Sequence, residues 1–508
     1  MDIYDKISEL YEKRRKVKHG GGEEKLNNQR DKGKLTARER LAYLLDKETF
    51  IELNPFMKKR TAPTNGDGVV TGYGKINGKP VYIMAHDFTV HGGTLGEIHG
   101  KKIASVLDLA AKAKVPFISL IDSGGARIQE GVAALDAYGQ IFRKNVHFSG
   151  VIPQISVILG PSAGGAVYSP VLTDFVIMVK KTAQMFITGP KIIEKVTGEI
   201  IDKEALGGAE IHNSKSGNAH FLANTETEAL DLVRRLLIYL PANHQEKSKP
   251  IPFHYDITKE SDLIEVVPFD CRLPYDVKQI IYLITDQASF LEVHAHFAKN
   301  IVVGFASICG RIVGIIANQP KYLAGSLDID ASDKAARFIR FCDAFQIPLV
   351  TLEDVTGFLP GVNQEHQGII RHGAKLLYAY AEATVAKITV ILRKAYGGAY
   401  VALNSKSIGA DLVFSWPNAE IAVMGPEGAV SILYAKEAEK SKNSAQFLKE
   451  KITTYKERFA NPYEAAQLGL VDDVIDPRET RKTIAYALEM LAHKQEEQPV
   501  KKHGNIPL

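Results

Sequence analysis

The chain repeats itself. The segment that starts at Lys102 (K-I-A-S-V-L-D-L-A-A-K-A-K-V-P-F) lies over the segment that starts at Lys334 (K-A-A-R-F-I-R-F-C-D-A-F-Q-I-P-L), 232 residues on, and Asp122 falls on Asp354 at the same shift. Gly164 and Gly165 fall on Gly397 and Gly398 at a shift of 233, Asp174 on Asp411 at 237, and Gly189-Pro190 on Gly425-Pro426 at 236. A nearly constant shift held in order requires two copies of one unit, and its small drifts are what loop insertions leave. The period is far too long for a solenoid repeat. The copies are assigned to residues 1–245 and 263–508. A connector, 246–262, joins them through the polar run E-K-S-K-P-I-P-F-H.

Two copies in 508 residues, 45% of them hydrophobic, leave each long enough to bury its own core. The charge nearly balances, 63 Lys and Arg against 59 Asp and Glu, so nothing demands a nucleic acid or an acidic membrane as partner. Phosphate-bearing small molecules remain open. Cys271, Cys309 and Cys342 are too few and too far apart for a Cys-x-x-Cys metal site or a disulfide framework, which fits a reducing compartment. The N-terminus has neither an apolar signal core nor the composition of a transit peptide, and no run approaches 18 apolar residues. A cytoplasmic protein with no membrane span is expected.

Each copy alternates helical periodicity with short β-branched runs. Ile103, Val106, Leu107 and Ala110 recur at helical spacing; V-P-F-I-S-L-I then reads as a buried strand, a Gly-rich turn follows, and V-I-P-Q-I-S-V-I-L is the next strand. That order predicts an α/β fold with Gly-rich turns at the strand ends, where open sheets place ligands. Upstream, Glu9, Glu12 and the basic run from Lys13 to Lys18 predict a separate polar helix, ended by Gly20-Gly21-Gly22 and read as a solvated face.

The repeated Gly-Gly-Ala has two readings. Glycines at a strand end entering a helix leave backbone N–H groups unpaired at the positive end of that helix, open to close approach by an oxyanion. Alternatively they permit only tight helix–strand packing. The recurrence of the turn, with further Gly-rich turns at D-S-G-G-A-R (Asp122 to Arg127) and G-F-L-P-G (Gly357 to Gly361), favours the functional reading. A duplicated oxyanion site suits a reaction that must stabilise two carbonyl oxygens. Serine hydrolysis is a rival, because G-P-S-A-G (Gly160 to Gly164) fits the G-x-S-x-G elbow and His91-Gly92-Gly93 lies upstream. The second copy has Ala395 at the serine position, and nothing singles out Asp174, His212 or His220 as triad partners. A non-catalytic assembly subunit would not need Gly-rich turns in both copies.

D-S-G-G-A-R-I-Q-E-G, G-P-S-A-G-G-A-V-Y-S-P, M-F-I-T-G-P, G-I-I-A-N-Q-P, G-I-I-R-H-G-A-K-L-L-Y-A-Y-A-E-A-T-V and R-K-A-Y-G-G-A-Y together resemble the biotin-dependent acyl-CoA carboxyltransferases, in order, from about Lys34 to about Ile475. The resemblance extends to β subunits of propionyl-CoA carboxylase and α subunits of methylmalonyl-CoA decarboxylase. It implies a tandem duplication of two crotonase-like domains, an acyl-CoA side in the first copy and a biotin side in the second. It implies transfer of a carboxyl group between carboxybiotin and the α-carbon of a short acyl-CoA, propionyl-CoA as first expectation, with the decarboxylase running the same transfer in reverse as the alternative. The thioester oxygen is then placed at Gly164, Gly165 and Ala166, and the ureido oxygen of biotin at Gly397, Gly398 and Ala399. Ser123, Gly124, Gly125, Ala126, Arg127, Tyr396 and Val401 are assigned to binding of the CoA thioester and biotin.

The same resemblance makes biotin itself the base, so His372 is expected to be structural; Arg371 and Lys375 either offset CoA phosphates or face solvent. It implies a homo-oligomer built from face-to-face dimers, commonly three in a ring. No Ala/Val-Met-Lys-Met attachment sequence, P-loop or zinc-ribbon cysteine pattern occurs in the chain, so biotin is expected on a separate carrier, with a biotin carboxylase as partner if the direction is carboxylation and no metal in this chain. Ser162 stands where many members have Cys, Thr356 where Pro is usual, His366 where Trp is common, and Val401 where many have Asp.

Overall fold

The computed structural model describes residues 2–60, 64–253 and 262–508; residues 254–261, most of the second half of the expected connector, lie outside the described residues. The chain divides into two compact units, Met1–Glu246 and Lys247–Leu508.

In the first unit, seven strands run in the order Ile51–Leu53, Val69–Ile76, Lys79–His86, Phe117–Ile121, Gln154–Ile158, Phe175–Val179 and Phe221–Ala223. The first three are antiparallel and the rest parallel. Asn77-Gly78 makes the two-residue turn of the long hairpin, and Asp46 accepts from both of its N–H groups, at 3.0 and 2.8 Å. The central parallel strands are buried along their whole length, as strands covered on both faces must be. The helix Glu97–Ala113 supplies one cover with Ile103, Val106, Leu107 and Ala110 buried, the face anticipated from its periodicity. Pro116 and Pro153, which cannot donate to a ladder, precede the two strands and delay their start.

The second unit repeats this order with Leu291–Val293, Ile301–Ile308, Arg311–Asn318, Leu349–Val355, Lys387–Tyr396, Leu412–Ser415 and Asp473–Val474; Glu420–Ala422 adds to the end of Lys387–Tyr396. Asp286 accepts from the turn N–H groups of Cys309 and Gly310, as Asp46 does in the first unit. The aligned lysines share a role as well. Lys102 Nζ donates to Val69 O at 2.6 Å, and Lys334 Nζ donates to Ile301 O at 2.7 Å and to His294 O and Phe297 O. Both ammonium groups are buried, which pulls their pKa values down, to about 8 for Lys102 and about 7 for Lys334.

The copies differ where the sites begin. The strand Lys387–Tyr396 runs unbroken into its glycines, whereas its counterpart breaks after Ile158 and resumes as Pro161–Ala163, paired with Gln184–Phe186. Gly160-Pro161 makes the break: Pro161 has no N–H, and a Cβ at Gly160 would run into Asp122 Oδ1. Arg393-Lys394 stands there in the second copy. The N-terminal helix Ile3–Lys18 buries none of its residues, as its polar composition anticipates.

Candidate active site

The two Gly-Gly-Ala turns have one geometry. Gly164 (φ 60°) and Gly397 (φ 63°) both adopt the left-handed conformation that L side chains resist, and each opens a short helix: Gly164–Val167 continuing into Tyr168–Val171, and Gly397–Ala402. A left-handed residue followed by a helical one points successive N–H groups into a shared concavity suited to an oxyanion. These first-turn donors have no intrahelical acceptor. The space beside them is open. A Cβ on Gly164 would meet only Ile187 O, at 4.0 Å, and one on Gly398 only the Phe358 ring, at 4.0 Å.

Packing explains Gly165. A Cβ on Gly165 would lie 2.9 Å from the Tyr138 ring, so this position is glycine because an aromatic side chain closes on the turn. The packing reading therefore holds at Gly165, while Gly164 and Gly398 leave space beside their turns. The Ala166 and Ala399 side chains are buried under their turns.

Each copy buries the duplicated aspartate beside the residues that lead into its turn, but the counter-charge comes from different places. Asp122 is fully buried; its Oδ2 lies 2.6 Å from Lys34 Nζ and 3.0 Å from Arg40 Nη2, and Gln29 Nε2 donates to it at 3.0 Å. Burial alone would raise its pKa, but Arg40 and Lys34 outweigh burial and hold the carboxyl below its ordinary value. Asp354 accepts from Arg393 Nε at 3.0 Å and from the Lys394 backbone N–H at 3.2 Å, pinning the strand just before Ala395. Here burial prevails over Arg393 and Lys394, and the pKa is raised. Where Asp122 needs room for Lys34, the chain has Gly160; where the strand carries its own cation, it has Arg393.

The D-S-G-G-A-R turn is stitched to the His91-Gly92-Gly93 segment. Ser123 Oγ donates to Gly93 O at 2.7 Å, the Gly124 N–H to Gly92 O at 3.0 Å, and the Leu95 N–H to Gly125 O at 2.9 Å, with Ala126 bridged to Leu95. Arg127 is 9% exposed and both its terminal nitrogens are engaged, with Asp67 at 2.6 Å, Glu130 at 2.8 Å and Thr94 O at 2.8 Å. As placed, Arg127 and Ser123 brace the turn with their side chains. Gly124 is its exposed residue. The Tyr396 hydroxyl donates to Glu420, and Val401 is half-buried in the helix Gly397–Ala402.

Ser162 is not presented as a nucleophile. It lies in the strand Pro161–Ala163, fully buried, with Oγ donating to Ala166 O at 3.1 Å. His212 lies against Met185 O and Ser216, and the His220 Nδ1 accepts from the Val176 N–H. Ser162→Ala is expected to change carboxyl-transfer rate by no more than a few-fold, measured as kcat with free biotin; complete loss would restore the hydrolase. His372 Nδ1 lies 2.8 Å from Asp333 Oδ2, and Lys375 pairs with the same carboxylate at 2.9 Å, so both serve a local ion cluster.

Sequence reasoning missed Arg40, Lys34, Glu226 and Arg393, because their ion pairs join segments far apart in the chain. The one local signal was the T-x-x-E capping box at Thr36 and Glu39, which starts the helix Ala37–Leu44 and so aims Arg40 inward. Among the described residues, no group of three or more His, Cys, Asp and Glu side chains is set to hold a metal, and no helix is long and apolar enough to cross a membrane.

Residues 28–506 match the carboxyl transferase domain. A Bacillus subtilis relative, 61% identical over 99% of both chains, carries a provisional name, propionyl-CoA carboxylase β chain. The methylmalonyl-CoA decarboxylase α subunit of Propionigenium modestum is 53% identical over 99% of both chains. Among solved structures, a transcarboxylase 12S crystal structure, described as a hexamer with methylmalonyl-coenzyme A and methylmalonic acid bound, superposes with a TM-score of 0.98 at 50% identity, covering 100% of this chain and 99% of the other.

Proposed function

Because the chain belongs to the carboxyl transferase domain family, we propose that it moves a carboxyl group between carboxybiotin on a separate carrier protein and the α-carbon of a short acyl-CoA, with propionyl-CoA and methylmalonyl-CoA as the substrate pair. It is an enzyme, a carboxyltransferase of the propionyl-CoA carboxylase type. The observation that carries the site assignment is the recurrence of the positive-φ Gly-Gly-Ala turn at a strand end in both copies, with open space beside Gly164 and Gly398.

Bound carboxybiotin would supply the carboxyl group and, once that leaves, a basic ring nitrogen. The chain's own part is to position and to stabilise charge. N–H groups of Gly164, Gly165 and Ala166 receive the thioester oxygen as it gains enolate character, and those of Gly397, Gly398 and Ala399 receive the ureido oxygen. One preorganised donor of this kind is worth roughly 3–4 kcal/mol of barrier. Ser123 to Arg127 form a rigid rim for the CoA thioester, with Tyr396 and Val401 beside the biotin-side turn. Val401 puts an uncharged side chain there, which suits an apolar acyl group. With reacting groups held in register, no protein general base is required.

A homo-oligomer is part of the same proposal, and the exposed apolar side chains of both units are compatible with it: Ile128, Val132 and Val196 in the first and Val362, Ile370 and Val423 in the second are each at least 68% exposed. We read these as faces buried between copies in a dimer-based hexamer. Cytoplasmic location and a partnership with a biotin carboxylase and a biotin carrier belong to the same proposal. Decarboxylation of methylmalonyl-CoA is the second reading, favoured by the full-length relation to the Propionigenium modestum subunit.

The test is carboxyl transfer by the purified chain from methylmalonyl-CoA or malonyl-CoA to free biotin, with no ATP and no partner. Transfer is expected, faster from methylmalonyl-CoA. No transfer from either donor, together with thioester hydrolysis that needs Ser162, would overturn the reading.

A further inference from the structure

Glu353 sits on the strand Leu349–Val355, fully buried, with no hydrogen-bond partner for either carboxyl oxygen. Its register partner is Ile391, so it projects to the same face of the sheet, where Tyr400 packs on the cluster that contains Ile391 and Ala395. The Tyr400 hydroxyl is likewise sealed from water and without a partner. In sequence, Tyr400 directly follows Gly397-Gly398-Ala399.

The first unit shows what this position faces. Ile121 stands where Glu353 stands, paired in register with Ile158 as Glu353 is with Ile391, and Val167 stands where Tyr400 stands. Ile121 and Val167 are both buried, and Ile121 lines a cavity of about 20 Å³ together with Ala166, at the back of the turn. The second copy therefore exchanges an apolar pair for a carboxyl and a phenol, on a strand and a helix that are distant in sequence from Glu353 to Tyr400 and in contact in the fold. A single buried polar group without a partner is destabilising; two together can satisfy each other.

The surroundings decide the protonation state. Asp354 on the same strand is bound to Arg393, which leaves that cation occupied; Tyr380, from the helix Ile369–Glu382, is bonded to Thr351; Cys342, from the helix Ile329–Ala344, is buried beside Tyr380. Burial first, and the charge of Asp354 second, push the Glu353 carboxyl well above its ordinary range, and burial with Glu353 pushes Tyr400 up to about 12. Glu353 is thus a carboxylic acid able to donate.

We propose that Glu353, as a neutral acid, turns to share with Tyr400 a hydrogen bond that neither side chain makes as placed, and is a positioning residue for the Gly397–Ala399 turn. The proposal rests on the reading of that turn as the biotin side. Ionisation of Glu353 would reverse the bond, Tyr400 then donating to the carboxylate, and would set a negative charge behind donors meant for a developing oxyanion.

The experiment compares Glu353→Ile, Glu353→Gln, Tyr400→Phe and the double variant Glu353→Ile/Tyr400→Phe in carboxyl transfer from methylmalonyl-CoA to free biotin. Glu353→Ile and Tyr400→Phe are each expected to lower kcat about tenfold, with KM for the acyl-CoA unchanged, and the double variant to be no slower than either. Glu353→Gln, which still donates, is expected to match the parent near neutral pH and to keep its rate at alkaline pH where the parent declines. Infrared difference spectra between parent and Glu353→Gln should show the C=O stretch of a buried protonated carboxyl at neutral pH. Effects that multiply in the double variant, an unchanged Glu353→Ile, an unchanged alkaline limb in Glu353→Gln, or absence of the infrared band would each overturn the proposal. A parent that shows the band but moves no carboxyl group would instead overturn the site reading.

Discussion

Gly398→Val is expected to lower carboxyl transfer to free biotin by at least about a hundredfold while the chain stays folded and associated. Gly398 does not have a positive φ, so the backbone accepts a side chain, and a Cβ built there meets only the Phe358 ring at 4.0 Å. The valine Cβ therefore enters open space beside the turn, where the ureido oxygen is proposed to lie, without meeting a protein atom closer than 4.0 Å. Its neighbour is a poorer test: at Gly397, φ of 63° makes any L side chain cost roughly 1–2 kcal/mol of backbone strain, so a loss of activity would mix folding with chemistry. Size-exclusion chromatography and thermal melting check integrity, and binding of the acyl-CoA should be unaffected. Full activity in a folded Gly398→Val chain would move the biotin oxygen away from this turn.

Such a prediction was available because local rules govern the turns. Two copies betray themselves by a shared shift, and Gly189-Pro190 and Gly425-Pro426, matched by it, both prove to start helices, Pro190–Thr197 and Pro426–Leu433. The alternation of Ile103, Val106, Leu107 and Ala110 with the run at Phe117 gives helix and strand directly. What resists reading is the identity of partners across the fold. Asp122 and Asp354 align perfectly, yet one is served by Arg40, 82 residues earlier, and the other by Arg393, 39 residues later. Spacing carries no record of that choice; only the Gly160-for-Arg393 exchange hints at it, and it is legible only once the space around Asp122 is known. Glu353 was obscured for a related reason. Nothing local to the sequence singles it out, since its surroundings include Tyr400 and Ile391 from other elements. Arg127 shows the converse: its motif suggests a ligand contact, and the structure commits its side chain to Asp67, Glu130 and Thr94.

Arg40→Met is expected to destabilise the unit Met1–Glu246 by about 3–5 kcal/mol, the cost of leaving buried carboxylates without their cation. Arg40 is fully buried and donates twice to Glu226, at 2.9 and 2.7 Å, and once to Asp122, at 3.0 Å. Methionine fills much of the same volume, so the loss is electrostatic and not a cavity. The pH dependence distinguishes this from general damage. In the parent, Arg40 and Lys34 hold Asp122 below its unfolded pKa, so the stability it contributes is present above about pH 4 and lost as pH falls through the lower folded value. Without Arg40 the carboxyl can accept a proton more readily, and the gap in melting temperature between variant and parent should narrow as pH approaches 4. Arg393→Met makes the comparison. Asp354 is already raised by burial, so it should take up a proton when its cation goes, and the variant should lose less at neutral pH than Arg40→Met does. Equal losses that do not change with pH would mean that packing, not charge, makes these arginines matter. The expected inequality would mean that the two copies hold one turn geometry by different electrostatic means, firmly ionic behind the thioester-side turn and closer to neutral behind the biotin side, where Glu353 adds a second buried acid.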